Sequence, residues 1–242
     1  MNDAKNDVTG PTGADRGGGV GALRGVGIGC GLLVAVPVLV ALGFLTTFAV
    51  QRGTPEDYER VDPQAMMTRI GDVSQEAYEV LGFERTVPPG WVDPADPSAS
   101  ETGSNTADSA LCYPDGLESM ADEPVDGAYS LSHKWSLGGV AESEASSALK
   151  RLHGHLKEEG WDIDSYENGP EAASGLGLRA SRNGPSDDGG DIRLVFDWRD
   201  HQEVFEGGVH APCAYAPEAK PGTDVATEAG ETVEPAELRP AG

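Results

Sequence analysis

Residues 25–50 read GVGIGCGLLVAVPVLVALGFLTTFAV, 26 positions without a charged side chain, bounded by Arg24 and by Gln51-Arg52. An α-helix rises about 1.5 Å per residue, so roughly 20 apolar residues cross about 30 Å of hydrocarbon. The run therefore predicts a transmembrane helix that separates a short N-terminal tail from a large C-terminal part. A cleaved signal peptide is the alternative, since Thr47-Phe48-Ala49 offers small residues for a peptidase. Signal-peptide apolar cores are typically about 7 to 15 residues, and the length of this run favours an uncleaved anchor. Cys30 precedes most of the apolar run, which is the wrong order for a lipid-anchored cysteine.

Flanking cations leave the orientation tied, with Arg16 and Arg24 before the run and Arg52 and Arg60 after it. The acidic cluster Glu56, Asp57 and Glu59 and a cysteine pair in the C-terminal part favour a cytoplasmic N-terminus and an extracytoplasmic C-terminal domain. The expected location is thus the cell membrane, as a single-pass protein held through residues 25–50. Gly25, Gly27, Gly29 and Gly31 form small-xxx-small pairs that would let two such helices pack closely as a homodimer, although glycine is common in membrane helices anyway. With 41 acidic and 17 basic residues the formal charge is -24, which repels polyanions and excludes nucleic acid as an expected partner.

The remaining chain divides by composition. Residues 1–24 read as a disordered cytoplasmic tail, and 51–84 as a juxtamembrane segment. In that segment Asp62-Pro63 starts a helix over 63–81, because aspartate caps free amides and proline suits the first helical position. Met66, Ile70, Val73, Ala77 and Val80 then mark one apolar stripe, a core face or a heptad pairing two chains. Residues 85–110, rich in proline, serine and small polar side chains, read as a flexible linker or loop. In 111–215, Tyr129, Leu131, His133, Trp135 and Leu137 alternate with polar residues as a strand does. A helix with Ala141, Ala145, Ala148, Leu149, Leu152 and Leu156 on one face follows and stops at Gly160, and three or four further strands come after it. Residues 216–242 carry almost no large apolar side chain and read as a disordered acidic tail. The expected fold class is α+β: one N-terminal transmembrane helix, then a two-layer domain in which a mostly antiparallel sheet of four to five strands is packed by one long helix plus the juxtamembrane helix.

Cys112 and Cys213 lie just before the first strand and at the end of the last, and are expected to be bonded in an oxidising compartment. Neither belongs to a CxxC pair, so no metal is expected, and no cofactor motif is present. His153 and His155 stand on different sides of their helix. His133 sits among apolar residues as a half-buried histidine. Asp162 and Asp164, and Asp187, Asp188 and Asp191, read as solvated or turn carboxylates rather than acid-base or calcium sites. Ser147 and Lys150 match S-x-x-K as a string but lie on the outer face of a helix without the companion motifs.

An N-terminal apolar run, a helix ending in Gly160-Trp161, following strands and a late Cys213, with arginine outnumbering lysine, together resemble small single-pass cell-envelope proteins of high-G+C Gram-positive bacteria. The resemblance covers roughly residues 110–215 and implies an envelope location rather than an activity. The expected function is a non-enzymatic module that binds a ligand or an envelope protein. The alternatives are a small hydrolase using His133 or His155 with nearby acids, or a structural subunit.

Overall fold

The computed structural model describes residues 36–47, 57–92, 103–114, 123–169, 175–183, 191–219 and 225–242, and falls into two units, Met1–Gln51 and Arg52–Gly242. In the first unit the described residues 36–47 form helix α1, whose Leu39, Val40 and Leu45 are exposed. A helix of 12 residues reaches only about 18 Å. Among the described residues, no helix is long and apolar enough to cross a membrane. This corrects the expected transmembrane helix over 25–50. The rest of that run, including Gly25, Gly27, Gly29 and Gly31, lies outside the described residues, and so does the dimer contact expected of it.

The second unit begins with β1 (Glu59–Arg60) and α2 (Pro63–Leu81). Asp62 caps α2 by accepting from the amides of Gln64 and Ala65 at 3.0 and 3.2 Å, and Gly82 ends it in the left-handed conformation at φ 70°. Met66, Ile70 and Ala77 of the apolar stripe are buried, together with Met67, Tyr78 and Leu81. The stripe is therefore a core face.

After α2 come β2 (Asn105–Leu111), β3 (Ala128–Leu137), α3 (Glu142–Glu158), β4 (Asp162–Glu167), β5 (Leu176–Asn183), β6 (Asp191–Arg199), β7 (Val204–His210), β8 (Ala214–Tyr215) and α4 (Val225–Thr232). The eight strands form one sheet in the order β1-β8-β3-β7-β6-β5-β4, with β2 also paired to β3. The sheet is mixed, because β1 runs parallel to β8. The expected four to five strands fall short for two reasons. β1 and β8 are two residues long, too short for periodicity to show. β2, NTADSAL, lies in the stretch read as linker and has no apolar alternation, so pairing with β3 rather than a hydrophobic pattern makes it a strand.

β8 continues β7 along the same edge of β3. Ser132 faces His210 and Tyr129 faces Ala214, so three steps on β3 match four on the returning chain. The extra residue is a bulge, which bends the strand near Cys213. Cys112 follows β2 on the opposite edge of β3. Strands two apart in a flat sheet are separated by about 9.5 Å, yet the Cys112 and Cys213 Cα atoms are 6.0 Å apart. The two flanking chains therefore close toward each other over the end of β3, and the disulfide joins them.

The three described helices of this unit pack on one face of the sheet. That face carries an aromatic cluster in which Trp135 meets Tyr78 edge-on at 5.1 Å and stacks on Phe205 at 5.9 Å. Gly207 lies beneath the Trp135 indole, and a Cβ there would overlap the ring. The C-terminal residues, expected to be a disordered tail, contribute α4, with Val225, Ala226, Ala229, Val233 and Leu238 buried. Leu238 exchanges two backbone hydrogen bonds with Val87, at 2.9 and 3.0 Å, closing the edge of the expected linker. Small apolar residues among glutamates read as tail by composition, but here they fit close to β2, where the Ser109 hydroxyl donates to the Ala226 carbonyl at 2.6 Å.

Candidate functional site

Strand alternation places odd-numbered residues of β3 toward the helices and even-numbered ones on the opposite face, which no helix covers among the described residues. On that open face Lys134 stands between Thr106 of β2 and Gly208 of β7, and Gly208 is followed by Val195 of β6. The next row runs from Ser136 to Glu206 to Asp197. Gly208 has no side chain, so the face dips there into a groove of about 640 Å3. This volume lies within the range of small-molecule sites.

The groove's charges are already paired. Lys134 Nζ meets Asp108 at 2.8 Å, Arg199 Nη2 meets Glu206 at 2.6 Å, and Arg179 Nη2 meets Asp197 at 3.3 Å. All are partly exposed, so each pair contributes little to stability, about 1 kcal/mol at most. Their consequence is geometric: the pairs hold long side chains as fixed donors and acceptors. His210 shares a hydrogen bond with Ser132 Oγ at 3.0 Å. Burial first, then Lys134 and Arg193, lower its basicity, while Asp108 opposes them.

Trp91 forms the rim. It is 70 % exposed, whereas Trp135, Trp161 and Trp198 are at most 8 % exposed. Its backbone is fixed on both sides. Gly90 and Asn105 exchange two backbone hydrogen bonds at 2.8 Å, and the Val92 amide donates to Ser104 Oγ at 3.0 Å. Sequence reading placed Trp91 inside a linker, and its only signal was a large aromatic in a polar, proline-rich stretch.

The residues singled out from sequence do not converge here. Cys112 and Cys213 are disulfide-bonded. His153 stacks on Tyr166 at 4.0 Å, while His155 Nε2 pairs with Glu76 at 3.0 Å on the helical side. Asp164 accepts from Ser181 Oγ at 3.2 Å, beside a bulge in β4. Ser147 Oγ donates back to Ser143 O at 2.8 Å within its own helix. Asp187 and Asp188 lie outside the described residues. Among the described residues, no three His, Cys, Asp or Glu side chains are grouped to hold a metal ion.

His133 is fully rather than half buried. Asn105, also fully buried, donates both amide hydrogens, to Val87 O at 3.0 Å and to Ala236 O at 2.9 Å. Its Oδ1 is thus the acceptor toward His133 Nε2 at 2.6 Å, and the histidine carries its proton on Nε2. Burial lowers the His133 pKa from 6.5 to about 4. The unfolded chain binds a proton near pH 6.5 that the folded chain refuses until about pH 4. This contribution is therefore fully present above pH 6.5 and lost as pH falls through that window. Urea denaturation is expected to show a loss approaching about 3 kcal/mol across it. His133→Gln is expected to flatten the slope, and an unchanged slope in that variant would assign the loss elsewhere.

Ser132 and His210 face each other inside the strand ladder, so neighbouring amides are committed to strand pairing rather than converging on a developing oxyanion. Comparison with protein-family models, curated proteins and solved structures yields no match.

Proposed function

We propose that this chain is a non-enzymatic ligand-binding module that works outside the cytoplasm, with the open face of its sheet as the binding surface. The groove carries this reading: a recess floored by Gly208, lined by pre-paired charges and rimmed by an exposed Trp91, on the face opposite the three described helices of its unit. The Cys112–Cys213 bond supports the extracytoplasmic placement, because such bonds persist in oxidising compartments. A hydrolase built on His133 or His155 is disfavoured, since one is sealed in the core and the other pairs with Glu76 on the helical side.

Gly208→Val tests the site. A Cβ at 208 meets only ordinary contacts, the nearest being His210 Nε2 at 3.5 Å, so the fold accepts it while the added methyls fill the groove. The protein is titrated with neutral oligosaccharides, short peptides and phosphorylated sugars, and amide chemical shifts are followed. At least one probe is expected to shift open-face residues of β3, β6 and β7, with at least roughly tenfold weaker binding in Gly208→Val, equivalent to about 1.4 kcal/mol. No binding by any probe, shifts confined to the helices, or unchanged affinity in the variant would contradict the proposal.

A further inference from the structure

We infer that the groove takes a neutral polyhydroxylated ligand, a short saccharide chain whose ring stacks on Trp91 and whose hydroxyls bridge the ion pairs beneath it. The inference rests on the open face being the binding surface and adds the chemical class of its ligand.

Charge decides against the alternatives. Both the lysine and the arginine that line the groove already hold a carboxylate, Lys134 with Asp108 and Arg199 with Glu206, and the lining Asp197 is held by Arg179, while Arg193 stands beside His210 outside the lining. The whole chain, at -24, repels anions at longer range. A cationic ligand would have to displace the same partners in reverse. A hydroxyl requires no displacement, because it donates to a carboxylate and accepts from the neighbouring guanidinium or ammonium at once. Thr106, Ser136 and Gln202 add neutral donors and acceptors along the groove.

Shape decides the rest. An extended peptide gains affinity by adding a strand to a free sheet edge. Here the groove lies across the face, with its floor over β3, β7 and β6, whose backbone groups are consumed by their neighbours on both sides. A sugar ring needs no backbone partner. Its weakly positive C–H face meets the negative face of an aromatic ring, and Trp91 offers such a face at the rim, held by the pairings of Gly90 and Val92. Gly208 leaves room for the ring to lie against the sheet.

The four tryptophans supply a built-in assay, since Trp91 alone is open to a quencher and the other three are buried. Acrylamide quenching of the full-length protein is measured with maltotriose, cellotriose and N,N',N''-triacetylchitotriose, and with glucose 6-phosphate and a tripeptide as contrasts. At least one neutral trisaccharide is expected to protect Trp91 saturably, with affinity changing less than about twofold between low and high salt because no net charge is matched. By calorimetry, Trp91→Ala and Arg199→Ala should each weaken that binding roughly tenfold, at unchanged melting temperature. If only the phosphorylated sugar or the peptide protects Trp91, and does so in a Gly208-dependent way, the ligand class is overturned while the binding face stands. If no probe protects it, both fall.

Discussion

Replacing Cys112 and Cys213 together by serine is expected to destabilise the domain by about 4 to 5 kcal/mol, the largest single effect in this structure. The bond closes a loop with a sequence separation of 101. Cross-linking a loop of about 100 residues removes about 4.7 kcal/mol worth of unfolded-chain entropy in the loop-closure account. The crossing geometry adds a local reason. The bond holds the end of β2 and the bulged end of β7–β8 over β3, on strands that would otherwise stay two spacings apart. Urea denaturation of the Cys112→Ser/Cys213→Ser variant measures this, with the reduced parent protein as its match. A loss below about 1 kcal/mol would show that the sheet already restrains these ends without the bond.

Asn105→Ala is expected to cost about 2 to 4 kcal/mol, more than an ordinary polar truncation. One side chain satisfies three groups, the Val87 carbonyl, the Ala236 carbonyl and the His133 Nε2–H. Removing it leaves the buried His133 Nε2–H with no partner, at about 1 to 3 kcal/mol, while the Val87 carbonyl keeps the Leu238 amide and the carbonyl of the exposed Ala236 turns to water. The damage should also be local. Ala236 lies in the C-terminal segment and Val87 pairs with Leu238, so the segment loses its inner anchor. Hydrogen exchange at the Leu238 amide is expected to accelerate well before that of the β6 amides. A variant with parental melting temperature and uniform exchange would contradict the latch.

What the sequence disclosed follows where side-chain pattern is the cause of structure. The β3 alternation, the α2 stripe with its Asp62 and Gly82 ends, and the Gly160 stop, observed at φ 77°, are local effects written in local residues. Elements fixed by remote partners were not legible. β2 is a strand because β3 lies beside it, and α4 is folded because small side chains fit against β2. The apolar run over 25–50 misled in the opposite direction, since composition promises a span that its described helical part is too short to make. The groove was half legible. Ser132, Lys134 and Ser136 read as the polar side of β3, but the rim of Trp91, the floor of Gly208 and the Arg199–Glu206 pair arise only when β2, β7 and β6 are laid beside it.

A sealed, neutral His133 and a wet, half-exposed open face divide the labour of this domain. The helical side supplies stability through the aromatic cluster and the Asn105 latch, leaving the opposite side free to vary in shape at small energetic cost. That division has a use only where the folded, bonded form persists, which is why the proposed placement outside the cytoplasm is central.

Thiol trapping in intact cells tests that placement most directly. Cells making the full-length chain are quenched in acid, and the protein is denatured and treated with a maleimide polymer, with and without prior reduction. Cys112 and Cys213 are expected to resist labelling until reductant is added, then to gain two adducts that the Cys112→Ser/Cys213→Ser variant lacks. Full labelling of both without reductant would place the domain in a reducing compartment and contradict the account.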